Sequence, residues 1–315
     1  MTFELGRTYS HYEFLGLVKQ TNATVAYRVR NHAAGREELL YVLSEAGQDD
    51  PRQRERFMRE MGLRARLSHP NIPAFLNATD LEGNLVMTTE LVEGRSLAEA
   101  LKSGPLPWRQ ALEWTQQILP ALACAHELGI THRDIGPDSI ILTASGAAKL
   151  SDFRVAKGAT SPQLTQVGTI FGNCRYISPE QVRGTAELDC RSDIYSLGAV
   201  LYEMLCGRPP FAAPSDFEVM RAHLKETPRA PSEFHGGVPR LLDPVVLKAL
   251  AKDPAGRYAT CAEFAHALES ATDELEHPRP AAQERGPERG RWTLLGSAAA
   301  GFVLLLLAIW FIARL

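Results

Sequence analysis

The sequence predicts an α+β protein in which a small β-rich region precedes a larger helical region and one C-terminal membrane helix. Short runs rich in β-branched residues, such as TVAYRVR and LLYVL, fall in the first 90 residues around one amphipathic helix. Beyond them apolar residues recur at helical spacing, as in WRQALEWTQQILPALACAHELG. Close to the end, the run TLLGSAAAGFVLLLLAIWFI contains no charged residue.

The composition is that of a folded protein. The 315 residues, of which 45% are hydrophobic and 23% charged, can bury one large core or two medium ones. The net charge is −3 and the arginines form no basic face, so nucleic acid is not an expected partner. The five cysteines show neither a CxxC pair nor metal-ligand spacing, which is typical of reduced packing residues in a cytosolic domain.

The charge-free segment 293–312 is predicted to be a transmembrane helix. At 1.5 Å per residue it would span roughly 30 Å, the thickness of a bilayer's hydrocarbon core. Trp292 and Trp310 stand where interfacial aromatic residues belong. A buried core helix is the alternative, but such helices are seldom apolar on every face.

Charges around this segment predict its orientation. One arginine, Arg314, follows the segment, and four precede it within a Pro-, Gly- and charge-rich linker, 273–291. The positive-inside rule therefore places residues 1–291 in the cytoplasm. The N-terminus has no secretory signal pattern. We expect a single-pass, tail-anchored protein of the inner (cytoplasmic) membrane.

Three motifs carry a resemblance to a known family. HRD at 132–134, DF at 152–153 and SPE at 178–180 follow one another in the order and spacing of the protein-kinase signature. Further matches are FMRE at 57–60, HPNI at 69–72, RSDIYSLG at 191–198, and DP with RY at 253–258. The chain resembles a bacterial Hanks-type serine/threonine protein kinase.

The resemblance implies a bilobal fold over residues 9–272. Its N-lobe would extend to about residue 89, its hinge over 90–94 and its C-lobe over 95–272. Arg257 would pair with Glu180. ATP and Mg²⁺ would be the cofactors of an active form, whereas an inactive form needs neither.

The phosphate-binding side departs from the family pattern. The segment KQTNAT at 19–24 stands where the glycine-rich loop belongs, and it contains no glycine to let backbone amides approach phosphates. Tyr41 replaces the lysine that neutralises the phosphates and pairs with Glu60. A phenol is neutral at pH 7, so we expect it to donate one hydrogen bond to Glu60. Lys19 and Arg154 are the candidates for a substitute cation.

The catalytic and metal positions are also altered. The resemblance gives Asp134 the role of proton acceptor and Asp152 that of the principal magnesium ligand. Ser139 replaces the asparagine that holds a second magnesium, and Gly136 replaces the lysine that meets the transferred phosphate. Arg154 takes the place of the glycine of D-F-G. Each retained aspartate has a structural alternative, because it can accept hydrogen bonds from nearby loop amides.

The candidate cofactor-binding set has five members, each by analogy. They are Lys19, Glu60, Glu90, Val92 and Asp152, of which Asp152 is also the candidate metal ligand.

Two hypotheses follow for the function. Losing one preorganised contact costs about 10²–10³ in rate, so losing the lysine and the asparagine should slow turnover to roughly one event per minute to per day. The favoured hypothesis is a membrane-anchored pseudokinase that scaffolds or regulates another protein, a kinase or a kinase substrate. The alternative is an atypical serine/threonine kinase that transfers the γ-phosphate of ATP to protein hydroxyls.

Overall fold

The structure, a computed structural model, describes residues 3–21, 23–153, 174–185 and 188–277. Nine strands lie in the first part of the described chain. They are β1 (Thr8–Tyr9), β2 (Tyr12–Gln20), β3 (Thr24–Asn31), β4 (Arg36–Leu43), β5 (Phe75–Leu81), β6 (Asn84–Glu90), β7 (Gly94–Ser96), β8 (Ile140–Thr143) and β9 (Ala148–Leu150). The helices are α1 (Glu45–Gln48), α2 (Pro51–Arg64), α3 (Leu97–Leu101), α4 (Trp108–Glu127), α5 (Pro179–Arg183), α6 (Cys190–Cys206), α7 (Asp216–Lys225), α8 (Pro231–Phe234), α9 (Asp243–Ala249) and α10 (Cys261–Glu276).

The first six strands form one antiparallel sheet in the order β1-β2-β3-β4-β6-β5. Burial alternates at the start of β2, where Tyr12 and Phe14 are buried, and at the end of β3, where Val29 and Asn31 are buried, as in a half-buried strand. Tyr12, Phe14, Val29, Leu40 and Val86 are fully buried in the core of this sheet. The register places Tyr41 of β4 beside Met87 of β6, inside the same sheet.

Helix α2 covers this sheet. Asp50 caps it by accepting a hydrogen bond from the backbone N–H of Arg52, and Pro51 occupies the first turn, where its missing N–H costs nothing. Phe57 and Met61, four residues apart, are buried in a cluster with residues of β4 and β6. The same helical spacing places Glu60 and Arg64 together on an adjoining face.

The helical region is built around α6, which is buried along most of its length. Asp189 caps its N-terminus, and Gly207 ends it in the left-handed conformation that glycine adopts most readily. A β-carbon at Gly198 would lie 2.8 Å from the Cβ of Ala249, so glycine is needed where α6 crosses α9. This close packing fixes the position of Asp193 at the start of α6.

A second sheet, β7-β8-β9, positions the segments that carry the candidate site. The HRD segment lies between α4 and β8, and a 3₁₀ turn, Pro137–Ser139, leads into β8. Asp152 follows directly after β9.

The predicted order of a β-rich region followed by a helical region is confirmed. The chain divides into a compact unit, Met1–Thr272, and a second unit, Asp273–Leu315. The predicted transmembrane segment 293–312 lies outside the described residues. Within the residues that are described, no helix is both long enough and apolar enough to cross a membrane.

Candidate active site

One buried carboxylate binds the main chain of the HRD segment. Asp193, fully buried, accepts hydrogen bonds from the backbone N–H groups of His132 at 2.8 Å and Arg133 at 2.9 Å. Arg133 adopts φ 65°, a left-handed conformation that costs energy for a non-glycine residue. The His132 ring packs against Phe153, with 4.7 Å between ring centroids. These contacts fix the loop that presents Asp134.

Asp134, the candidate proton acceptor, is half-buried in this loop. Its backbone N–H donates to Nδ1 of His132 at 3.3 Å. Because His132 is itself held by Asp193 and Phe153, the position of the Asp134 main chain depends on the scaffold. Its role in proton transfer remains a prediction.

Ser139 is 5% exposed, and its hydroxyl group is used within the loop. The oxygen accepts a hydrogen bond from the Gly136 backbone N–H at 3.2 Å, and the hydroxyl donates to the Gly136 carbonyl at 2.9 Å. The Ser139 carbonyl in turn accepts from the backbone and the hydroxyl of Ser151. A hydroxyl group with both functions satisfied in this way closes the loop and has little capacity left for a metal ion.

Gly136 lies against an aromatic wall. A β-carbon at this position would lie 3.2 Å from the ring of Tyr176. The Tyr176 hydroxyl donates a short hydrogen bond to Glu203, whose pKa is raised because burial disfavours its charge. A longer side chain at position 136 would therefore have to displace a ring that is held at its far end.

Asp152, the candidate metal ligand, is paired with a lysine. Its Oδ2 lies 2.6 Å from Nζ of Lys19, and the two side chains are 28% and 48% exposed. Lys19 is carried by β2, opposite Ala26 of β3. Asp152 has φ 60°, a second strained main-chain position of this site. Lys19, the candidate substitute cation, thus contacts the carboxylate of the candidate metal ligand.

The turn that replaces the glycine-rich loop satisfies its own amides. The Thr21 hydroxyl accepts hydrogen bonds from the backbone N–H groups of Ala23 at 3.3 Å and Thr24 at 2.9 Å. The Thr21 N–H donates to the Thr24 carbonyl at 2.8 Å. Amides that point into their own turn cannot cradle a phosphate unless these bonds open. This role of Thr21 was not predicted from the sequence.

Arg64 bridges the two side chains that the sequence predicts to bond directly. Its Nη2 lies 2.8 Å from Oε1 of Glu60, and its guanidinium carbon lies 5.0 Å from the centroid of the Tyr41 ring. Burial raises the pKa of Tyr41, an effect that the Arg64 charge opposes. Burial also disfavours the charge on Arg64, yet Glu60, Tyr41 and Asp152 together raise its pKa. The positive charge that pairs with Glu60 is therefore the Arg64 guanidinium on α2, and not a side chain at position 41 on β4.

Glu90 and Val92 lie where the resemblance places the hinge. The Glu90 carboxylate lies 2.6 and 2.8 Å from Nζ of Lys149 on β9, and it accepts from the Ala74 N–H at 3.2 Å. Val92 is half-buried in the connection from β6 to β7. The Glu90 side chain is thus a tie between strands, and contacts of either residue with a nucleotide remain predictions.

Both candidate metal positions are engaged within the described protein. Asp152 is paired with Lys19, and the Ser139 hydroxyl is satisfied by Gly136. The substitute candidate Arg154 lies outside the described residues.

The comparisons with known proteins agree with this layout. The sequence model of the protein kinase domain family matches residues 17–269. The chain belongs to the protein kinase family. The β-rich and helical regions are the N-lobe and C-lobe of the bilobal kinase fold, and the resemblance seen in the motifs is confirmed.

Curated relatives identify the branch of the family. The kinase is 39% identical over 268 residues to serine/threonine-protein kinase PknB of Mycobacterium leprae, covering 83% of this chain and 42% of PknB. It is 34% identical over 299 residues to PknD of Mycobacterium tuberculosis, covering 94% of this chain and 44% of PknD. The chain therefore spans about two fifths of the length of these relatives.

Solved structures give the same result. The crystal structure of the Mycobacterium tuberculosis PknI kinase domain superposes with a TM-score of 0.65 at 28% identity, covering 86% of this chain and 100% of that one. This chain is thus a kinase domain of the bacterial serine/threonine type. Its homologues imply ATP and Mg²⁺ as cofactors if the domain is active.

Proposed function

We propose that this kinase-family protein acts as a regulator or scaffold for another protein and that its own phosphoryl transfer is greatly reduced. The observation that carries the proposal is the buried hydroxyl of Ser139, which stands at the second-magnesium position and both donates to and accepts from Gly136. The amides bonded to Thr21 and the 2.6 Å pair between Lys19 and Asp152 support it. Groups that would face ATP and magnesium are paired within the protein.

The proposal includes a location. Residues 293–312 would anchor the protein in the inner membrane with the kinase domain in the cytoplasm, which rests on the charge-free run and the arginines before it. Cell fractionation with and without this segment tests the anchor. Release of the shortened chain to the soluble fraction supports it, and retention at the membrane after a salt wash contradicts it.

A second candidate function is an atypical active kinase. Asp134 is held by the scaffold, and Arg133 and Asp152 keep strained main-chain conformations of the kind that cluster at functional sites. The ion pair on Asp152 is partly exposed, so Lys19 could leave the carboxylate when a charged ligand arrives. Protein hydroxyls would then be the acceptors, as they are for the family.

Nucleotide binding separates these functions. A ligand present at 100 times its dissociation constant stabilises a protein by about 2.7 kcal/mol, which corresponds to a shift in Tm of several degrees. We expect the full chain in mild detergent to shift by less than about 1 °C with ATP and Mg²⁺. A shift of several degrees would contradict the loss of magnesium–nucleotide binding.

Transfer of labelled phosphate from ATP completes the test. Asp134→Asn replaces the candidate base with a group of equal size, so it should leave protein level, stability and cellular output unchanged if the module acts by its shape. Transfer by the wild type that disappears in Asp134→Asn, together with loss of output at normal protein level, would establish the atypical kinase instead.

A further inference from the structure

We infer that Arg64 is the positioning residue that replaces the missing strand lysine. In this role the cation resides on α2 and links α2 to β4 and to the segment after β9. The inference goes beyond the proposed function, because it holds for an active and for an inactive protein. Neither the sequence motifs nor the family comparisons assign a role to Arg64.

Arg64 contacts three elements from one buried position. It pairs with Glu60 on its own helix at 2.8 Å, and its guanidinium lies over the Tyr41 ring on β4. Its Nη2 also donates to the Phe153 carbonyl at 3.4 Å, immediately after Asp152. The Arg64 side chain is 12% exposed and Glu60 is 20% exposed. A single side chain therefore joins the elements that surround the candidate site.

The exchange between strand and helix follows from charge balance. A lysine on β4 would tie the strand to α2 through Glu60, but here Glu60 is already neutralised from within α2. The planar guanidinium can lie over an aromatic ring, so the strand position accepts Tyr41 while contact between the two elements is kept. Tyr41 and Arg64 thus work as a pair.

Charges near Asp152 disfavour a further cation on β4. Lys19 pairs with Asp152 and Arg64 pairs with Glu60. A lysine introduced at position 41 would add a cation beside a buried guanidinium, where like charges repel strongly. We therefore expect a lysine at position 41 to be better tolerated when Arg64 is replaced.

A double-mutant cycle on the full chain in mild detergent tests the pair. Arg64→Met leaves Glu60 without its cation and should lower Tm by about 5–10 °C. Arg59→Met is the matched control, because Arg59 lies on the same helix, is 54% exposed and pairs with the exposed Glu55 at 3.1 Å. This control should change Tm by less than about 1 °C. Arg64→Lys keeps the cation, so its loss of Tm should be no more than about half of the loss in Arg64→Met.

The second arm of the cycle tests the exchange itself. Tyr41→Lys alone should lower Tm, and adding Arg64→Met to it should raise Tm again, so the two changes are not additive. The double variant should also bind ATP at least about tenfold more tightly than Tyr41→Lys alone, a change that a purely structural role would not produce.

Three results would overturn the inference. The first is an Arg64→Met variant as stable as Arg59→Met. The second is a double variant whose loss of Tm equals the sum of the two single losses. The third is equal ATP affinity of the double variant and Tyr41→Lys. Both Tm comparisons are made without ATP, so they separate a failure of this inference from a failure of the proposed function.

Discussion

Two ion pairs of the kinase have similar lengths and opposite surroundings. Arg257 and Glu180 meet at 2.7 Å in the C-lobe with side chains 0% and 10% exposed, whereas Lys19 and Asp152 meet at 2.6 Å with side chains 48% and 28% exposed. Both nitrogens and both oxygens of the first pair are engaged, since Arg257 Nη2 also lies 2.8 Å from Glu180 Oε2. The second is a single contact between flexible partners.

The difference in burial between the two pairs distinguishes a structural contact of the C-lobe from a contact at the candidate ligand site. A buried, bidentate pair whose remaining hydrogens bond to main-chain carbonyls cannot open without local unfolding. An exposed pair is typically worth about 0–1 kcal/mol, so solvent or a ligand can replace it. The Arg257–Glu180 pair is thus a fixed part of the C-lobe, whereas Lys19 and Asp152 can exchange each other for solvent or a ligand.

The largest expected effect comes from applying the same substitution to both pairs. Arg257→Met should lower the free energy of unfolding by about 3–5 kcal/mol, because it leaves Glu180 buried without a counter-ion. Lys19→Met should lower it by less than about 1 kcal/mol. Urea denaturation followed by circular dichroism measures both. Equal losses would remove the distinction between the two sites.

The second-largest effect is expected from acid, which should lower the stability of the C-lobe. Burial, reinforced by the charge of Lys252, lowers the pKa of His223 to about 3. The ring is satisfied as the neutral form, since Nδ1 lies 2.7 Å from the Tyr195 hydroxyl and Nε2 lies 3.1 Å from the Arg175 carbonyl.

The unfolded chain therefore binds a proton at His223 between about pH 6.5 and 3 that the folded chain does not. Stability from this group is complete above pH 6.5 and is lost as the pH falls, by about 1.4 kcal/mol at pH 5.5. The measurement compares the stability of wild type and His223→Asn at pH 7.5 and 5.5. Parallel pH profiles for the two proteins would show that His223 does not contribute.

The smallest effect on stability is expected in the turn between β2 and β3, which contains Thr21. Thr21→Val removes the hydroxyl that accepts from Ala23 and Thr24, at a cost of about 1 kcal/mol, because these half-buried amides lose one hydrogen bond each but can still be reached by water. Hydrogen exchange at these amides should become faster, whereas Thr8→Val on exposed β1 should leave it unchanged. Unchanged exchange in Thr21→Val would mean that the turn does not depend on its hydroxyl.

Sequence patterns predicted those features of the molecule that depend on residue type and on the order of motifs along the chain. The pairing of Arg257 with Glu180 followed from the family motifs, and both side chains had the chemistry to satisfy each other in a buried site. The separation of a β-rich lobe from a helical lobe followed from periodicity.

Three-dimensional competition for hydrogen bonds was harder to predict. Ser139 was expected to be a weak metal ligand, but its hydroxyl closes the loop on Gly136. Arg64 lies four residues after Glu60, a spacing that equally describes a solvated surface pair, and only its burial reveals the contact with Tyr41. Predictions for Asp134 as base, for Asp152 as metal ligand and for the membrane anchor remain predictions.

The contact beside Gly136 limits which single substitutions the loop can accept. A lysine at position 136 would meet the Tyr176 ring, and an asparagine at position 139 would remove the serine hydroxyl that closes the loop. Positions 136, 139 and 176 therefore form one coupled unit, in which substitutions made together should cost less stability than the sum of those made alone.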